Sequence, residues 1–314
     1  MNAKRILSFS SFNNVLLIAA ALMLLVLPVR AQEVVIAFDD VLGPSATLDG
    51  MARTQMIISG LRRAEVDQAL FLVSTRKITP KTNSKARLQA YDNAGHIIAS
   101  RGHDHNLFKK VNLYAYEIDL LKAHARLQEF NHYHGYFHFG YHAAGGDLAV
   151  RRRLNDFARE NALQPIYVNV KSQDAYLNQQ YIAQVNANRR VDMAALETLY
   201  VDMVWQGLLD YHRYTFATVG PSSRIVLLLQ ENDLAAYFIA PLVERIRSHG
   251  WQVASPSVAF SYPKTGRAPI SLHTPDGYAA ALAGVDLMAR DIPFVSPAKP
   301  EDVDRLPGMA HIFP

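Results

Sequence analysis

Two adjacent carboxylates, Asp39 and Asp40, end a short apolar run and are the residues of this chain best placed to do chemistry. A pair of charges at the end of a buried strand is costly unless a metal ion, a hydrogen-bond network or a substrate uses it. The pair therefore suggests a metal-assisted hydrolase. The alternative is that both carboxylates are solvated and cap the next helix, because Asp is a favoured N-cap residue.

The elements that must hold these carboxylates follow from the hydrophobic pattern. Apolar runs predict strands at 33–38, 68–74, 96–100, 135–139, 165–170, 225–229 and 251–254. Helical stripes lie between them, around residues 56–61, 118–125, 148–157, 193–211 and 234–248. Alternating strands and helices imply a parallel sheet, either a barrel or an open doubly wound sheet.

In both architectures ligands bind at the carboxyl ends of the strands. We call this end of the sheet the mouth. The residues that the predicted strands bring to it are Asp39, Asp40, those after Ser100, Tyr141, Lys171 and Gln230.

The first 31 residues are typical of an export signal. Lys4 and Arg5 form a basic start, residues 15–27 are apolar, and small residues end at Ala31, where we expect cleavage. The apolar core is shorter than the roughly 20 residues of a membrane span, so the mature chain is predicted to have none. These features predict a periplasmic or secreted bacterial protein.

Removing the signal leaves 29 of the 32 basic residues against 28 acidic ones. A nearly neutral chain lacks the concentrated basic face that nucleic-acid binding demands. The chain has no cysteine, so no disulfide supports the fold.

Five segments in order resemble the motifs of the polysaccharide deacetylases with a NodB-type domain. They are residues 38–40, 95–105, 137–141, 170–178 and 227–233. The resemblance runs from about residue 34 to residue 263 and implies a distorted (β/α) barrel of parallel strands. It predicts a barrel domain over 32–263, with 264–314 as a C-terminal extension of the same domain.

The resemblance also implies an activity, the metal-dependent hydrolysis of N-acetyl groups on an envelope or extracellular glycan. Asp39 would be the general base, and Asp40 with His105 would hold a divalent ion, zinc or a similar metal. A backbone N–H near Tyr141 would help to hold the oxyanion. The residues expected to contact an N-acetylated polysaccharide or oligosaccharide are His138, Tyr141, Tyr176, Leu229 and Gln230.

Several positions depart from the family pattern. Arg101 stands where the first metal histidine is expected, and a guanidinium has no lone pair to give a metal. His103 is the candidate replacement ligand. Gln230 replaces the acid histidine, and Lys171 takes the place assigned to the aspartate that pairs with it. The general acid and the carboxylate that pairs with it are therefore both missing, which predicts impaired or altered activity.

Two further hypotheses stay open at this point. The first is a non-catalytic glycan-binding pseudoenzyme on the same fold. The second is a separate metal site made by His132, His134, His138 and His142, which fall within eleven residues. The simpler interpretation of this histidine cluster is a polar and aromatic loop that lines a sugar cleft, because no carboxylate is in place to orient the rings.

Overall fold

The protein is described by a computed structural model, which covers residues 31–80, 82–104, 112–138, 148–166, 168–219, 224–260, 303–304, 306 and 308–313. The strands are β1 (Glu33–Asp39), β2 (Leu70–Val73), β3 (Ile97–Ser100), β4 (Tyr133–His138), β5 (Gln164–Ile166), β6 (Val170–Lys171), β7 (Arg224–Gln230) and β8 (Gln252–Val253). The helices are α1 (Gly50–Arg63), α2 (Ser84–Asn93), α3 (Leu113–Leu127), α4 (Leu148–Glu160), α5 (Asp174–Asn186), α6 (Met193–Val219), α7 (Asp233–Ser248), α8 (Pro256–Phe260) and α9 (Met309–Ile312). A short 3₁₀ turn, Thr75–Lys77, follows β2.

All strand pairs are parallel, in the order β5-β4-β3-β2-β1-β7-β6, with β8 beside the start of β1. The strands β5 and β6 are at opposite edges of this sheet, yet Val170 is only four positions after Ile166. A chain of four residues spans at most about 14 Å, so the two edges must approach one another. The sheet is therefore curled into a half-barrel with helices around it, as the predicted barrel requires.

The core has two layers because successive residues of a strand point to opposite faces. On β1, Val34, Ile36 and Phe38 pack against the helices, in a cluster that includes residues of α1, α6 and α7. Val35 and Ala37 pack inside the barrel. This alternation decides which residues at the strand ends can reach the mouth.

Most predicted elements are present within a few residues of their expected bounds. The predicted strand at 165–170 is two strands, because its halves pair with opposite edges of the sheet. The helices α2 and α5 were not predicted, since their polar sequences carry no clear apolar stripe.

The described residues from Gln32 onward form one compact unit. None of the helices in the described ranges is both long and apolar enough to cross a bilayer. Most of the predicted C-terminal extension, residues 264–314, lies outside the described residues.

Candidate binding site at the mouth of the barrel

The alternation of β1 brings Asp39 into the barrel. It is the last residue of the strand, shares the inward register of Val35 and Ala37, and is 3% exposed. Gln230 lies opposite it at the end of β7. Neither Asp39 nor Asp40 caps a helix, because the N-cap of the next helix is Asp49. The capping hypothesis is therefore wrong, and the cost of burying Asp39 needs another explanation.

That explanation is Arg101, the first residue after β3. Its Nη2 donates to Asp39 Oδ2 at 2.7 Å, and its Nη1 contacts Nδ1 of His138 at the end of β4. A guanidinium carries only donors, so Nδ1 of His138 is the acceptor in this contact. Three strand ends thus meet through one cation, at the point where the resemblance implies a metal ligand.

Asp40 turns away from this cluster. Its φ of 52° is in the left-handed region, which Asp tolerates better than most residues. Its carboxylate is about half exposed and forms an ion pair with Nζ of Lys77, in the 3₁₀ turn after β2. The two adjacent carboxylates are therefore separately paired, each with its own cation.

The segment after Arg101 is held firmly in place. Asp119 of α3 accepts hydrogen bonds from the backbone N–H groups of His103 and Asp104, at 2.9 and 2.8 Å. The His103 ring is also engaged, since its Nδ1 is 2.9 Å from Thr75 Oγ1. Sequence reasoning missed Asp119, because nothing in the pattern of α3 distinguishes it from other helical acids.

A buried carboxylate, that of Asp174, accepts a hydrogen bond from the backbone of Gln230. Asp174, the first residue of α5, is fully buried and accepts hydrogen bonds from the Gln230 backbone N–H at 2.8 Å and from Asn232 Nδ2 at 3.1 Å. Its other oxygen, Oδ1, has no partner among the described residues. Lys171, which the sequence placed here, is exposed at the edge of the sheet. Asp174 is thus the acid that lies against position 230.

This burial has a testable consequence for stability. Burial raises the pKa of Asp174 to about 7. From about pH 4 to about pH 7 the folded protein therefore holds a proton that the unfolded chain has released, so stability falls as the pH rises through this range. The measurement is the urea concentration at half unfolding, followed from about pH 4 to about pH 7. We expect this concentration to fall less with pH in Asp174→Asn than in the parent. Asp156→Asn, at an exposed carboxylate, should show the same fall as the parent. Parallel profiles for the parent and Asp174→Asn would contradict this assignment.

One of the predicted substrate contacts, Leu229, is placed differently from expectation. Leu229 is 0% exposed and packs against the helices with Leu227. Since neighbouring residues of a strand point to opposite faces, Leu229 and Gln230 cannot both face the mouth, and we correct the prediction for Leu229. The Tyr176 hydroxyl donates to the carboxylate of Asp304 at 2.8 Å. The predicted residues Tyr141 and His105 lie outside the described residues.

The histidine cluster does not converge in the described residues. His132 bonds to Asp92 through its backbone N–H and its ring, while His134 is exposed. His138 is six positions after His132 along an extended chain, which corresponds to roughly 20 Å. His142 lies outside the described residues. The structure thus gives no support to a separate site made by His132, His134 and His138.

A second layer of charges lies behind the mouth and was also missed. Glu231 follows Gln230 and is buried, with both carboxylate oxygens 2.7 Å from Arg87 Nη2. It also accepts from Tyr91 Oη at 3.1 Å, from Arg53 Nε at 3.4 Å and from the Leu42 backbone N–H at 3.2 Å. Glu231 therefore joins α1, α2 and the loop after β1.

The described residues do not fit the divalent ion that the resemblance implies. Arg101 lies on Asp39, and Lys77 lies on Asp40. In the ranges that the structure describes, no three His, Asp or Glu side chains are grouped so that they could hold a metal ion. The remaining predicted ligand, His105, is outside those ranges.

Solved structures of low sequence identity are similar to this chain. The sequence matches no known family profile and no curated protein. Three similar solved structures are the peptidoglycan deacetylase PdaC from Bacillus subtilis, a family 4 carbohydrate esterase from Streptomyces lividans, and a pseudoenzyme of the same esterase family from Bacillus anthracis.

Identity is 13% to PdaC, with 73% of this chain and 89% of that chain covered and a TM-score of 0.46. The Streptomyces esterase is 13% identical, with 73% of this chain and 94% of that chain covered and a TM-score of 0.43. The pseudoenzyme is 12% identical, with 74% of this chain and 66% of that chain covered and a TM-score of 0.47. These three solved structures are thus a peptidoglycan deacetylase, a family 4 carbohydrate esterase and a pseudoenzyme of that esterase family.

Proposed function

We propose that this protein binds an N-acetylated polysaccharide or oligosaccharide at the mouth of its barrel and is a non-catalytic relative of the polysaccharide deacetylases. The observation that carries the proposal is the ion pair between Arg101 Nη2 and Asp39 Oδ2, at 2.7 Å. It puts a permanent cation on the residue that would act as base.

Each step of ordinary deacetylation lacks a group that it needs. The Asp39 oxygen that faces Arg101 already accepts a charge-assisted hydrogen bond, so a proton taken up by this oxygen would compete with the guanidinium. Gln230 lies where a proton donor is expected, and an amide side chain does not release a proton near neutral pH. A general acid or base contributes about 10²–10⁴-fold in rate, so the loss of both removes most of the activity.

A mouth that has lost these groups still suits a sugar. His138 and Gln230 supply hydrogen-bonding groups at the ends of β4 and β7, in the inward registers of those strands. Small-molecule sites typically combine a few such fixed polar groups with an otherwise apolar cavity.

The second candidate is a deacetylase of low activity. One observation favours it, since Asp39 Oδ1 is buried and has no hydrogen-bond partner among the described residues. An acceptor of this kind could take a proton from water.

Under either function we propose export through the first 31 residues. A mature terminus other than Gln32 in the native host would contradict the cleavage site.

Glycan binding is tested by calorimetric titration of a chitin-type oligosaccharide into the parent, His138→Ala and His134→Ala. Both histidines are on β4, but only His138 is at the mouth, whereas His134 is exposed further back along the strand. We expect His138→Ala to weaken binding at least about tenfold, or roughly 1.4 kcal/mol, and His134→Ala to bind as the parent does. No binding by the parent, or equal losses in both variants, would contradict the proposed site.

A further inference from the structure

The mouth shows a charge arrangement that the metal-dependent scheme does not explain. Asp39 is almost fully buried, and a partner of opposite charge offsets the cost of burying a carboxylate. Arg101 supplies it directly, with 15% of its own side chain exposed and 4% of the Asp39 side chain exposed. The charge that a divalent ion would bring to this carboxylate is therefore already present.

The guanidinium is held there from both ends. The Arg101 backbone N–H donates to Val73 O at 2.8 Å, and the next residue is fixed by a bond from Gly102 N–H to Ser100 Oγ at 2.9 Å. At the other end, His138 engages the second guanidinium nitrogen. An arginine anchored in this way keeps its position without rearranging when a ligand arrives.

Both carboxylates at the end of β1 already have a cation of the chain as partner. Asp39 pairs with Arg101, and Asp40 pairs with Lys77. A divalent ion could bind either carboxylate only next to that cation, which would repel it.

We propose that Arg101 takes the place of the metal ion, so that the mouth is a metal-independent site whose cation belongs to the chain. Its guanidinium neutralises Asp39, holds β1, β3 and β4 together, and presents positive charge to a ligand carbonyl or another oxygen. This inference deepens the proposed glycan-binding function and rests on the same site, but the thermal midpoints that test it do not depend on a glycan.

The test compares thermal midpoints of the parent, Arg101→Met, Asp39→Asn and the double variant, each with chelator and with added zinc. Methionine keeps much of the arginine stem and removes its charge. We expect Arg101→Met to lower the midpoint by roughly 5–10 °C, because Asp39 stays buried without a partner. Adding Arg101→Met to the Asp39→Asn variant should lower the midpoint far less, since a neutral amide needs no partner of opposite charge.

Zinc separates the proposal from a merely structural role for the arginine. The parent midpoint should be the same in zinc and in chelator, whereas zinc should raise that of Arg101→Met or Arg101→His, because a bound ion restores the missing charge. Arg76→Met is the matched control, since it removes an exposed arginine. Its thermal midpoint, like that of the parent, should be the same in zinc and in chelator. Arg101→Lys keeps the charge and should remain indifferent to zinc too.

A parent that zinc stabilises and chelator destabilises would overturn the proposal, as would additive effects of Arg101→Met and Asp39→Asn. Should Arg101→Met not fold, the double variant and Arg101→Lys still decide it, because folding of the double variant is itself the predicted rescue. A parent that binds the oligosaccharide only in the presence of zinc would refute this inference and leave the glycan-binding function intact.

Discussion

Replacing Glu231 by alanine is expected to destabilise the folded protein by about 3–5 kcal/mol, the usual cost of removing one partner from a buried ion pair. Glu231 is buried, and Arg87 Nη2 lies 2.7 Å from each of its two carboxylate oxygens. Without the carboxylate, two guanidiniums, those of Arg53 and Arg87, lose a partner inside the protein. The Leu42 backbone N–H also loses its acceptor, which loosens the loop that follows Asp40.

The measurement is urea unfolding of the parent, Glu231→Ala and a matched surface variant, Glu129→Ala. Glu129 pairs with Lys85 at an exposed site, where 44% of its side chain is accessible. An exposed pair of this kind contributes at most about 1 kcal/mol, so Glu129→Ala should unfold nearly as the parent does. Equal losses in the two variants would show that the buried network is not what stabilises this part of the barrel.

Restoring histidines at positions 101 and 230 together is expected to raise acetate release from a chitin-type oligosaccharide by about 100-fold or more over either single variant. An imidazole at 101 provides a metal ligand and frees Asp39, while one at 230 provides a proton donor worth about 10²–10⁴-fold in rate. Groups that act as a unit are non-additive, so each single variant should gain little.

Asp174 is the reason that two substitutions are expected to suffice. It already accepts from the backbone of residue 230 and keeps an oxygen with no described partner. Adding Lys171→Asp should therefore change the rate little, because Lys171 is exposed at the sheet edge. The controls are a metal-stripped sample of each variant and Gln252→His, which adds a histidine at the opposite end of the sheet. A folded double variant that binds zinc but stays inert would contradict the assignment of these positions.

The fold was predictable because its strands are apolar runs that end in polar residues. The run before Asp39 and the run before Gln230 pair along their full length, so two strand ends predicted separately meet in register. Because side chains alternate along each strand, Asp39 and Gln230 face the inside of the barrel, whereas Phe38 and Leu229 face the helices. The same alternation can be followed in the sequence, and it excludes Leu229 from the predicted contacts.

The partners of the site residues were not predictable in the same way. Arg101 was identified as a departure, but its bond to Asp39 joins residues 62 positions apart, on strands that do not pair directly. The bond between Glu231 and Arg87 spans 144 positions, and neither residue carries a local signal of the other. Local patterns predict strands and caps, whereas buried ion pairs are set by tertiary structure.

The most direct measurement is a single titration in which binding and hydrolysis are followed together. The parent is titrated with a chitin-type oligosaccharide, once with zinc and once with chelator, and acetate is measured in the same samples. A mouth in which Arg101 replaces the metal predicts equal affinity in both titrations and no acetate above the protein-free background. Acetate release that zinc supports and chelator abolishes would contradict this account and identify the protein as a working deacetylase.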